Sequence, residues 1–226
     1  DGHDFIEQAY SAGAFCVLAE RLSESVIPLD CAAVLVEDTV KALGKLAQYQ
    51  KNAVAPFTVG VTGSTGKTTT KEFIYSVLSA QGITHKTEGN FNNEIGLPLT
   101  MLKMKPDSKY LVLEMGMSQK GEIDYLTRLA GPDLAVITNI GDSHIENLGS
   151  RQAIRDAKLE ICAGLRPGGK LILNGDEPLL AGIENGVYVA AGNQNADYVI
   201  SDIISHGSCT TFCITHGGKT VTDLTI

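Results

Sequence analysis

The sequence predicts an α/β protein built on a parallel sheet, preceded by a small partial α/β unit and followed by a short antiparallel appendage. Three observations predict this class. Runs rich in Val, Ile and Leu alternate with helical patterns from residue 57 onward, a glycine-rich turn follows the first run, and short strands separated by glycines begin near residue 197. Strands that are apolar on both faces and separated by helices are typical of a parallel sheet covered on both sides.

The first 54 residues predict the small unit. Their patterns indicate a helix at residues 4–12 and buried strands at residues 14–19 and 32–36. Asp38 is a predicted N-cap for the helix that follows. Residues 50–56 are predicted to form a linker, because Pro56 stops helix propagation. Since the unit begins with a helix and no preceding strand, we expect the front of its domain to be missing.

Residues 55–226 carry the parallel sheet in this prediction. The strand candidates are residues 57–62, 110–115, 134–139 and 170–173. A helix follows the first of them, with one apolar face at Phe73, Ile74, Val77 and Leu78. The appendage is predicted from three short strands at residues 198–204, 210–215 and 219–226. Because the last pattern stops inside a strand, we expect this unit to be incomplete as well.

Composition argues against several classes of protein. A net charge of −8 would repel a polyanionic backbone, so nucleic-acid binding is disfavoured. No apolar run approaches the roughly 20 residues that span a bilayer, and the N-terminus lacks the pattern of a signal peptide, so we expect a cytoplasmic protein without membrane insertion. The five cysteines are scattered and expected to be reduced, with a site at Cys209 and Cys213 as a weak alternative.

The turn GSTGKTTT lies between a predicted buried strand and a helix, which is the context of a phosphate-binding loop. Gly63 and Gly66 allow backbone amides to approach phosphate oxygens, and Lys67 supplies a positive charge near the β and γ phosphates. Thr68 can place its hydroxyl on Mg²⁺. The usual motif has glycine where this chain has Val61. An ordinary glycine-rich turn is the weaker interpretation, so a P-loop ATPase domain is predicted.

A triphosphate loop is shared by kinases, GTPases, motors and ligases, and the lack of an NKxD signature counts only weakly against a GTPase. Five later segments narrow the choice: T-E-G-N-F-N-N-E-I-G-L-P-L-T from Thr87, L-E-M-G-M from Leu113, G-E-I from Gly121, T-N-I-G-D-S-H from Thr138 and A-K-L-E-I from Ala157. With V-T-G-S-T-G-K-T-T-T, in which Gly63 replaces the missing glycine, this set resembles the Mur ligases and the related folylpolyglutamate synthetases. The N-N-E-I-G-L-P and E-M-G segments resemble most the branch that adds D-alanyl-D-alanine to a muramoyl tripeptide.

The resemblance implies a monomeric amide ligase of peptidoglycan synthesis that uses ATP and Mg²⁺. Its substrates would be UDP-N-acetylmuramoyl-tripeptide and D-Ala-D-Ala, joined through an acyl phosphate. Residues 1–54 would be part of the N-terminal UDP-sugar-binding domain, residues 55–226 the central ATP-binding domain, and the C-terminal ligase domain would be absent, so we expect the segment alone to be inactive. The alternatives are another Mur ligase, a folylpolyglutamate synthetase-like ligase, or a non-catalytic nucleotide-binding module.

The resemblance also implies roles for single residues. Nucleotide contacts are implied for Gly63, Ser64, Thr65, Gly66, Lys67, Thr68, Thr69 and Asn139. Glu114, at the end of a predicted strand, is implied as a Mg²⁺ ligand, and His144 as a ligand of a second Mg²⁺ or of its water. Ordinary interpretations stay open, because Glu114 could cap a helix, His144 could be solvated, and Asn139 and Asp142 could form turns.

Two further features complete the predicted site. Asn90, Asn92 and Asn93 could hold sugar or phosphate oxygens of the acceptor, or could form an Asx-rich loop. Lys158 falls on an apolar helical stripe, so we expect it to be buried beside the metal site.

Burial lowers the pKa of a lysine, and the neutral amine can take up CO₂ to give a carbamate with oxygen donors for Mg²⁺. Several Mur ligases carry a carbamylated lysine in the corresponding segment. The alternatives for Lys158 are a side chain that snorkels to water, or a plain lysine paired with a carboxylate or phosphate.

Overall fold

The computed structural model describes residues 2–22, 28 and 31–226, and these residues form a small sheet and a large one. The small unit begins with a 3₁₀ helix at Gly2–Phe5 and helix α1 at Ile6–Ser11. Strands β1 (Cys16–Ala19) and β2 (Ala32–Leu35) then pair in parallel. The predicted α/β character of this unit is confirmed.

Strand β2 is not buried as predicted. Val34 is 47% and Leu35 63% exposed, whereas Ala19 of β1 packs with Ile6 and Tyr10 of α1. Among the described residues, both α1 and the next helix contact β1, so the side chain buried in this unit's sheet comes from β1.

Helix α2 spans Thr39–Val54 and begins as predicted, because the Asp38 carboxylate accepts a hydrogen bond from the Lys41 backbone N–H at 2.9 Å. The linker predicted at residues 50–56 is wrong, since the helix runs on to Val54 and ends at Ala55 in a left-handed conformation with φ 52°. Packing explains the longer helix. Ala47 is fully buried in the main core and Lys51 is 1% exposed.

In the described part of the chain the large sheet has nine strands, in the order β11-β10-β9-β8-β7-β6-β3-β5-β4. The strands are β3 (Phe57–Thr62), β4 (Thr84–Lys86), β5 (Tyr110–Glu114), β6 (Leu134–Ile137), β7 (Lys170–Asn174), β8 (Gly186–Ala190), β9 (Tyr198–Ser205), β10 (Thr210–His216) and β11 (Lys219–Thr225). Every adjacent pair between β4 at one edge and β9 is parallel, whereas the pairs β9–β10 and β10–β11 are antiparallel. The predicted strands are confirmed, and β4 and β8 are additions.

The antiparallel strands predicted at the C-terminal end are confirmed, and they belong to the large sheet. Val189 and Ala190 of β8 pair with Tyr198 and Val199 of β9, so the last three strands continue the parallel sheet at one edge.

Helices cover both faces of the sheet. They are α3 (Lys67–Ser79), α4 (Gly96–Leu102), α5 (Glu122–Ala130), α6 (Ile145–Leu148) and α7 (Arg151–Leu159), with 3₁₀ helices at Glu160–Gly164 and Pro178–Leu180. One face holds the main core, in which α2, α4, α5 and α7 pack on β5, β6 and β7. Helix α3 packs on the opposite face, against Val59, Val61 and Val112. Among the described residues, no helix has the length and apolar character needed to cross a membrane.

The apolar face predicted for α3 is only half correct. Ile74 and Leu78 pack against the sheet, whereas Phe73 is 48% and Val77 69% exposed. The position turned inward at the start of the helix is instead Lys71, which is 1% exposed.

Candidate active site

The carboxyl ends of β3, β5 and β6 meet at one edge of the large sheet, because these strands are parallel neighbours. Ligands bind at this edge in open parallel sheets. A cavity of about 400 Å³ opens there. The predicted site residues on its wall are Gly63, Ser64, Lys67, Asn92, Asn93, His144 and Lys158. The remaining ones are not part of the wall: Thr65, Gly66, Thr68, Thr69, Asn90, Glu114 and Asn139.

The glycines of the loop are required by its geometry. Gly63 has φ 154°, and a Cβ there would lie 1.8 Å from the Thr138 hydroxyl oxygen. Gly66 has φ 77° and precedes the first residue of α3. Val61 is fully buried in β3 between β5 and β6, so the position that departs from the usual motif is part of the strand and needs no glycine.

The end of β6 holds the loop in place. The Asn139 side chain accepts from the Thr65 backbone N–H at 3.0 Å and donates to the Thr65 hydroxyl at 2.6 Å. Thr138 donates its hydroxyl to the Thr65 carbonyl at 2.6 Å, and the Gly141 N–H donates to the Ser64 hydroxyl at 2.8 Å. Asn139 therefore positions the loop through its contacts with Thr65, which lies 74 residues earlier in the chain, so the sequence around Asn139 does not predict this role.

Lys67 begins α3 and stays above the loop rather than entering the core. Its ammonium donates to the Gly63 carbonyl at 2.9 Å. Thr68 and Thr69 are exposed on the first turn of this 13-residue helix, whose N-terminus carries a partial positive charge. The start of α3 therefore offers an environment suited to an anion.

Glu114 is 3% exposed and lies beside the cavity wall. One carboxylate oxygen accepts from the Asn92 amide and the other from the Thr68 hydroxyl, each at 2.9 Å. The buried Lys71 ammonium lies 3.8 Å from the second oxygen. Thr87 fixes the backbone, because its hydroxyl accepts from the Glu114 N–H at 3.0 Å. Glu114 is therefore held by side chains from three segments and does not cap a helix.

Lys71 was not predicted for the site. Besides Glu114 it contacts Glu72, whose carboxylate lies 3.4 Å from its ammonium. The only sequence signal was its spacing of four from Lys67, which puts the two lysines on one side of α3.

The asparagine cluster divides between the two interpretations. Asn92 lies on the cavity wall and orients Glu114. Asn93 is also on the wall, but its side-chain oxygen accepts from the Ile95 and Gly96 N–H groups at the start of α4, as expected of an Asx turn. Asn90 is exposed outside the wall.

His144 is on the wall and has φ 65°, a left-handed conformation that is uncommon for residues other than glycine. It directly precedes the short helix α6, which turns the chain back towards α7. The half-buried imidazole therefore occupies a strained position at the cavity.

Lys158 is 2% exposed and lies on the wall, as predicted. The snorkelling alternative is wrong. Burial lowers its pKa from 10.5 to about 8, and the nearby positive charge of Lys67 adds to the effect. A substantial share of neutral amine is therefore available near pH 8.

Two carboxylates shape the segment after β5. Glu122 accepts from the Ser118 N–H at 2.6 Å, and Glu160 accepts from the Gly121 N–H at 2.9 Å. Glu122 belongs to the G-E-I motif and Glu160 to the A-K-L-E-I motif, and neither was predicted as a site residue. Their contacts fix the residues between β5 and α5, of which Gly116, Met117 and Ser118 line the cavity.

The donor set favours a hard cation. Thr68 and Glu114 present oxygen atoms beside the glycine-rich loop. Oxygen ligands suit Mg²⁺, which keeps several waters and substrate oxygens in its shell. Within the described ranges, no group of three or more His, Cys, Asp or Glu forms a protein-only metal cage. Cys209 and Cys213 are free thiols.

Comparisons with known proteins agree with this geometry. The model of the Mur ligase middle domain matches residues 61–225. UDP-N-acetylmuramoyl-tripeptide--D-alanyl-D-alanine ligase of Bacillus subtilis (strain 168) is 51% identical over 217 residues, which are 95% of this chain and 47% of that protein. The resemblance inferred from the motifs is thereby confirmed.

Solved structures give the same result. Crystal structure I of MurF from Acinetobacter baumannii has a TM-score of 0.88 at 30% identity and covers 98% of this chain and 49% of that one. MurF of Thermotoga maritima in complex with ADP has a TM-score of 0.87 at 35% identity and covers 98% and 52%. The chain thus spans about half the length of these relatives.

Proposed function

The chain belongs to the Mur ligase family, and we propose that it is the ATP-binding part of a ligase that adds D-Ala-D-Ala to UDP-N-acetylmuramoyl-tripeptide. One observation carries the proposal. Lys67, His144 and Lys158 line a single cavity at the end of β3, and Glu114 lies beside it, hydrogen-bonded to Thr68. These are the charges that a reaction between a carboxylate and a triphosphate needs.

ATP is the proposed nucleotide. The supporting features are the loop at residues 63–68, the helix N-terminus behind it, and the ADP held by the related Thermotoga maritima enzyme. In this proposal Lys67 leaves the Gly63 carbonyl and binds the β and γ phosphates. Only a rotation of its flexible side chain is required.

Mg²⁺ is the proposed metal. Thr68 and Glu114 would hold one ion, and His144 with Lys158 would contribute to a second. When bound, Mg²⁺ neutralises phosphate oxygens and polarises the transferred group. A carbamate on Lys158 would supply the oxygen donors that its ammonium lacks, and the lowered pKa supports this modification.

The reaction proceeds in two steps. An oxygen of the acceptor carboxylate attacks the γ-phosphorus, the bond to the β-phosphate oxygen breaks, and ADP and an acyl phosphate form. The amine of the dipeptide then attacks the acyl carbon, the carbon–oxygen bond to phosphate breaks, and the amine proton is lost. The chain contributes chiefly position and charge: Lys67 offsets repulsion between the anions, and Asn92 on the cavity wall orients the acceptor.

The wider proposal concerns the complete protein. Residues 1–54 would contribute to the UDP-sugar-binding domain and residues 55–226 to the ATP-binding domain, although α2 packs into the main core across this boundary. A further domain would complete the adenine and dipeptide sites. The enzyme would act as a monomer in the cytoplasm, where ATP and nucleotide-linked sugars are available.

The test uses the full-length protein, UDP-N-acetylmuramoyl-tripeptide, ATP, Mg²⁺ and D-Ala-D-Ala. We expect phosphate release that depends on the dipeptide, and a product whose mass shows one amide bond formed. Lys67→Ala should lose nearly all turnover and remain folded, whereas Lys105→Ala, which changes an exposed lysine far from the loop in sequence, should be unaffected.

The outcomes separate the alternatives. Product with a single amino acid in place of the dipeptide would indicate another Mur ligase. Nucleotide binding without turnover for any muramoyl acceptor would indicate a non-catalytic module. Full activity of Lys67→Ala would contradict the assignment of the loop.

A further inference from the structure

Both main-chain polar groups of Ile140, in the loop after β6, are bound by one pair of charged side chains. The Glu177 carboxylate accepts from the Ile140 N–H at 3.3 Å, and the Arg151 guanidinium donates to the Ile140 carbonyl. Arg151 and Glu177 also contact each other at 3.4 Å. Ile140 itself is 1% exposed. The pair therefore binds the main chain of a buried residue at both its N–H and its carbonyl.

The two charged residues come from rigid elements on either side of the loop. Arg151 is the first residue of α7, and Glu177 follows β7 at the start of a 3₁₀ helix, where it also accepts from the Leu179 N–H at 3.2 Å. The Glu177 side chain is 10% exposed. A second contact of 3.8 Å joins Arg151 to Asp142, two residues beyond Ile140.

This loop contacts Ser64 of the glycine-rich loop and leads into His144, and both residues line the cavity. Its Gly141 N–H donates to the Ser64 hydroxyl at 2.8 Å, and Ser143 donates to the Ser64 carbonyl at 3.4 Å. One residue later the chain reaches His144, in its left-handed conformation. A shift at Ile140 would therefore move the phosphate loop and the imidazole together.

We propose that Arg151 and Glu177 act as positioning residues. They form a clamp on Ile140 that fixes the position of the phosphate loop relative to His144. The chemical part of this inference rests on the proposed function, whereas the clamp itself rests on the contacts above. Neither residue lines the cavity, so each acts through the loop rather than on a substrate.

The clamp depends on the charges of Arg151 and Glu177. Hydrogen bonds to ionised groups are stronger than those between neutral groups. Removal of Arg151 would leave the largely buried Glu177 carboxylate without its cation, and the Ile140 carbonyl without its donor. We therefore expect the loop to open more often while the sheet stays intact.

The test compares Arg151→Met and Glu177→Gln with a control, Arg155→Met, in the full-length protein. Arg155 lies on the same helix, one turn further on, and pairs only locally with Asp156 in the described structure. Glu177→Gln keeps an acceptor for the Ile140 N–H and should fold even if Arg151→Met does not.

The first measurement is hydrogen exchange without nucleotide. We expect exchange in residues 139–149 to rise roughly tenfold in both variants and to stay unchanged in the control. The second is kinetic: the KM for ATP should rise and kcat fall, with partial recovery in Arg151→Lys. Exchange and kinetics equal to those of Arg155→Met would overturn the clamp, as would equal acceleration of exchange across the whole sheet.

The two proposals fail separately. If wild-type protein makes no ligase product, the proposed function fails, and hydrogen exchange and ATP affinity still decide on the clamp. If product forms normally in wild type and both variants match the control in every measurement, the clamp alone fails.

Discussion

Replacement of Lys158 by methionine should stabilise the protein while it removes activity. Methionine matches the length and flexibility of lysine and carries no charge. Lys158 is 2% exposed, and burial lowers its pKa from 10.5 to about 8. A pKa difference of one corresponds to about 1.4 kcal/mol, so the buried ammonium costs the folded state about 3 kcal/mol near pH 7.

The sign of the pH dependence follows from the lowered pKa. Below pH 8 the lysine is charged in both the folded and the unfolded chain, so the cost is fully present. As the pH rises from about 8 to 10.5, the folded chain loses its proton first and the cost disappears. The gain from Lys158→Met should therefore be largest at pH 7 and close to zero above pH 10.5.

The assay is denaturant unfolding at pH 7 and pH 10 in buffer depleted of CO₂, together with ligase turnover. Lys51→Met is the matched control, because burial also lowers the pKa of Lys51 to about 8. Lys51 donates to the Gly131 carbonyl at 3.2 Å at the end of α5, so its replacement should give a smaller gain and leave turnover nearly unchanged.

Two results would refute this reasoning. Equal or lower stability of Lys158→Met at pH 7 would show that its ammonium is not costly in the fold. Wild-type turnover in the variant would remove Lys158 from the reaction. If bicarbonate reduces the stability difference between the two proteins, the carbamate gains support, because it replaces the buried ammonium.

Three further predictions concern the same cavity. Gly63→Ala should destabilise the protein by about 1–3 kcal/mol in denaturant unfolding and raise the KM for ATP. Adding Thr138→Ala to that variant should restore part of the stability and part of the ATP affinity, because it removes the oxygen that would lie 1.8 Å from the new Cβ. Glu114→Gln and His144→Ala should each shift activity to higher Mg²⁺ concentration, and superimposable Mg²⁺ curves would exclude them as ligands. Lys71→Met should lower the thermal midpoint of unfolding, because the buried Glu114 carboxylate loses the ammonium 3.8 Å away. Mg²⁺ should raise the midpoint of this variant more than it raises that of wild type, since the cation then compensates the carboxylate.

Most of the parallel sheet could be predicted from the sequence, because its strands are apolar on both faces and each pattern matches a buried environment. Strand β4 has three residues at the sheet edge, too few for a periodic signal. Helix α4 contains Gly96 and Pro98, which are typical of loops, yet Leu97 and Met101 pack in the main core. Tertiary packing therefore decided the elements that local patterns left out.

The site divides in the same way. Lys158 could be predicted as buried, because a charged residue interrupted an apolar stripe. The burial of Lys71 could not, since it depends on how α3 rests on β5. Arg151 and Glu177 are 26 residues apart and meet only once β7 has placed them around the loop. Contacts between distant charges leave no periodic trace in a sequence.

Helix α2 gives the molecule a stiff mechanical link. One end touches β1 of the small sheet, and the body of the helix lies along α4 and α5. Those two helices begin next to the cavity: Asn93 accepts from the first N–H of α4, and Glu122 is the first residue of α5. A force applied to the small sheet would therefore reach the cavity wall through a rod of 16 residues, and a protease should find no cleavable hinge within it.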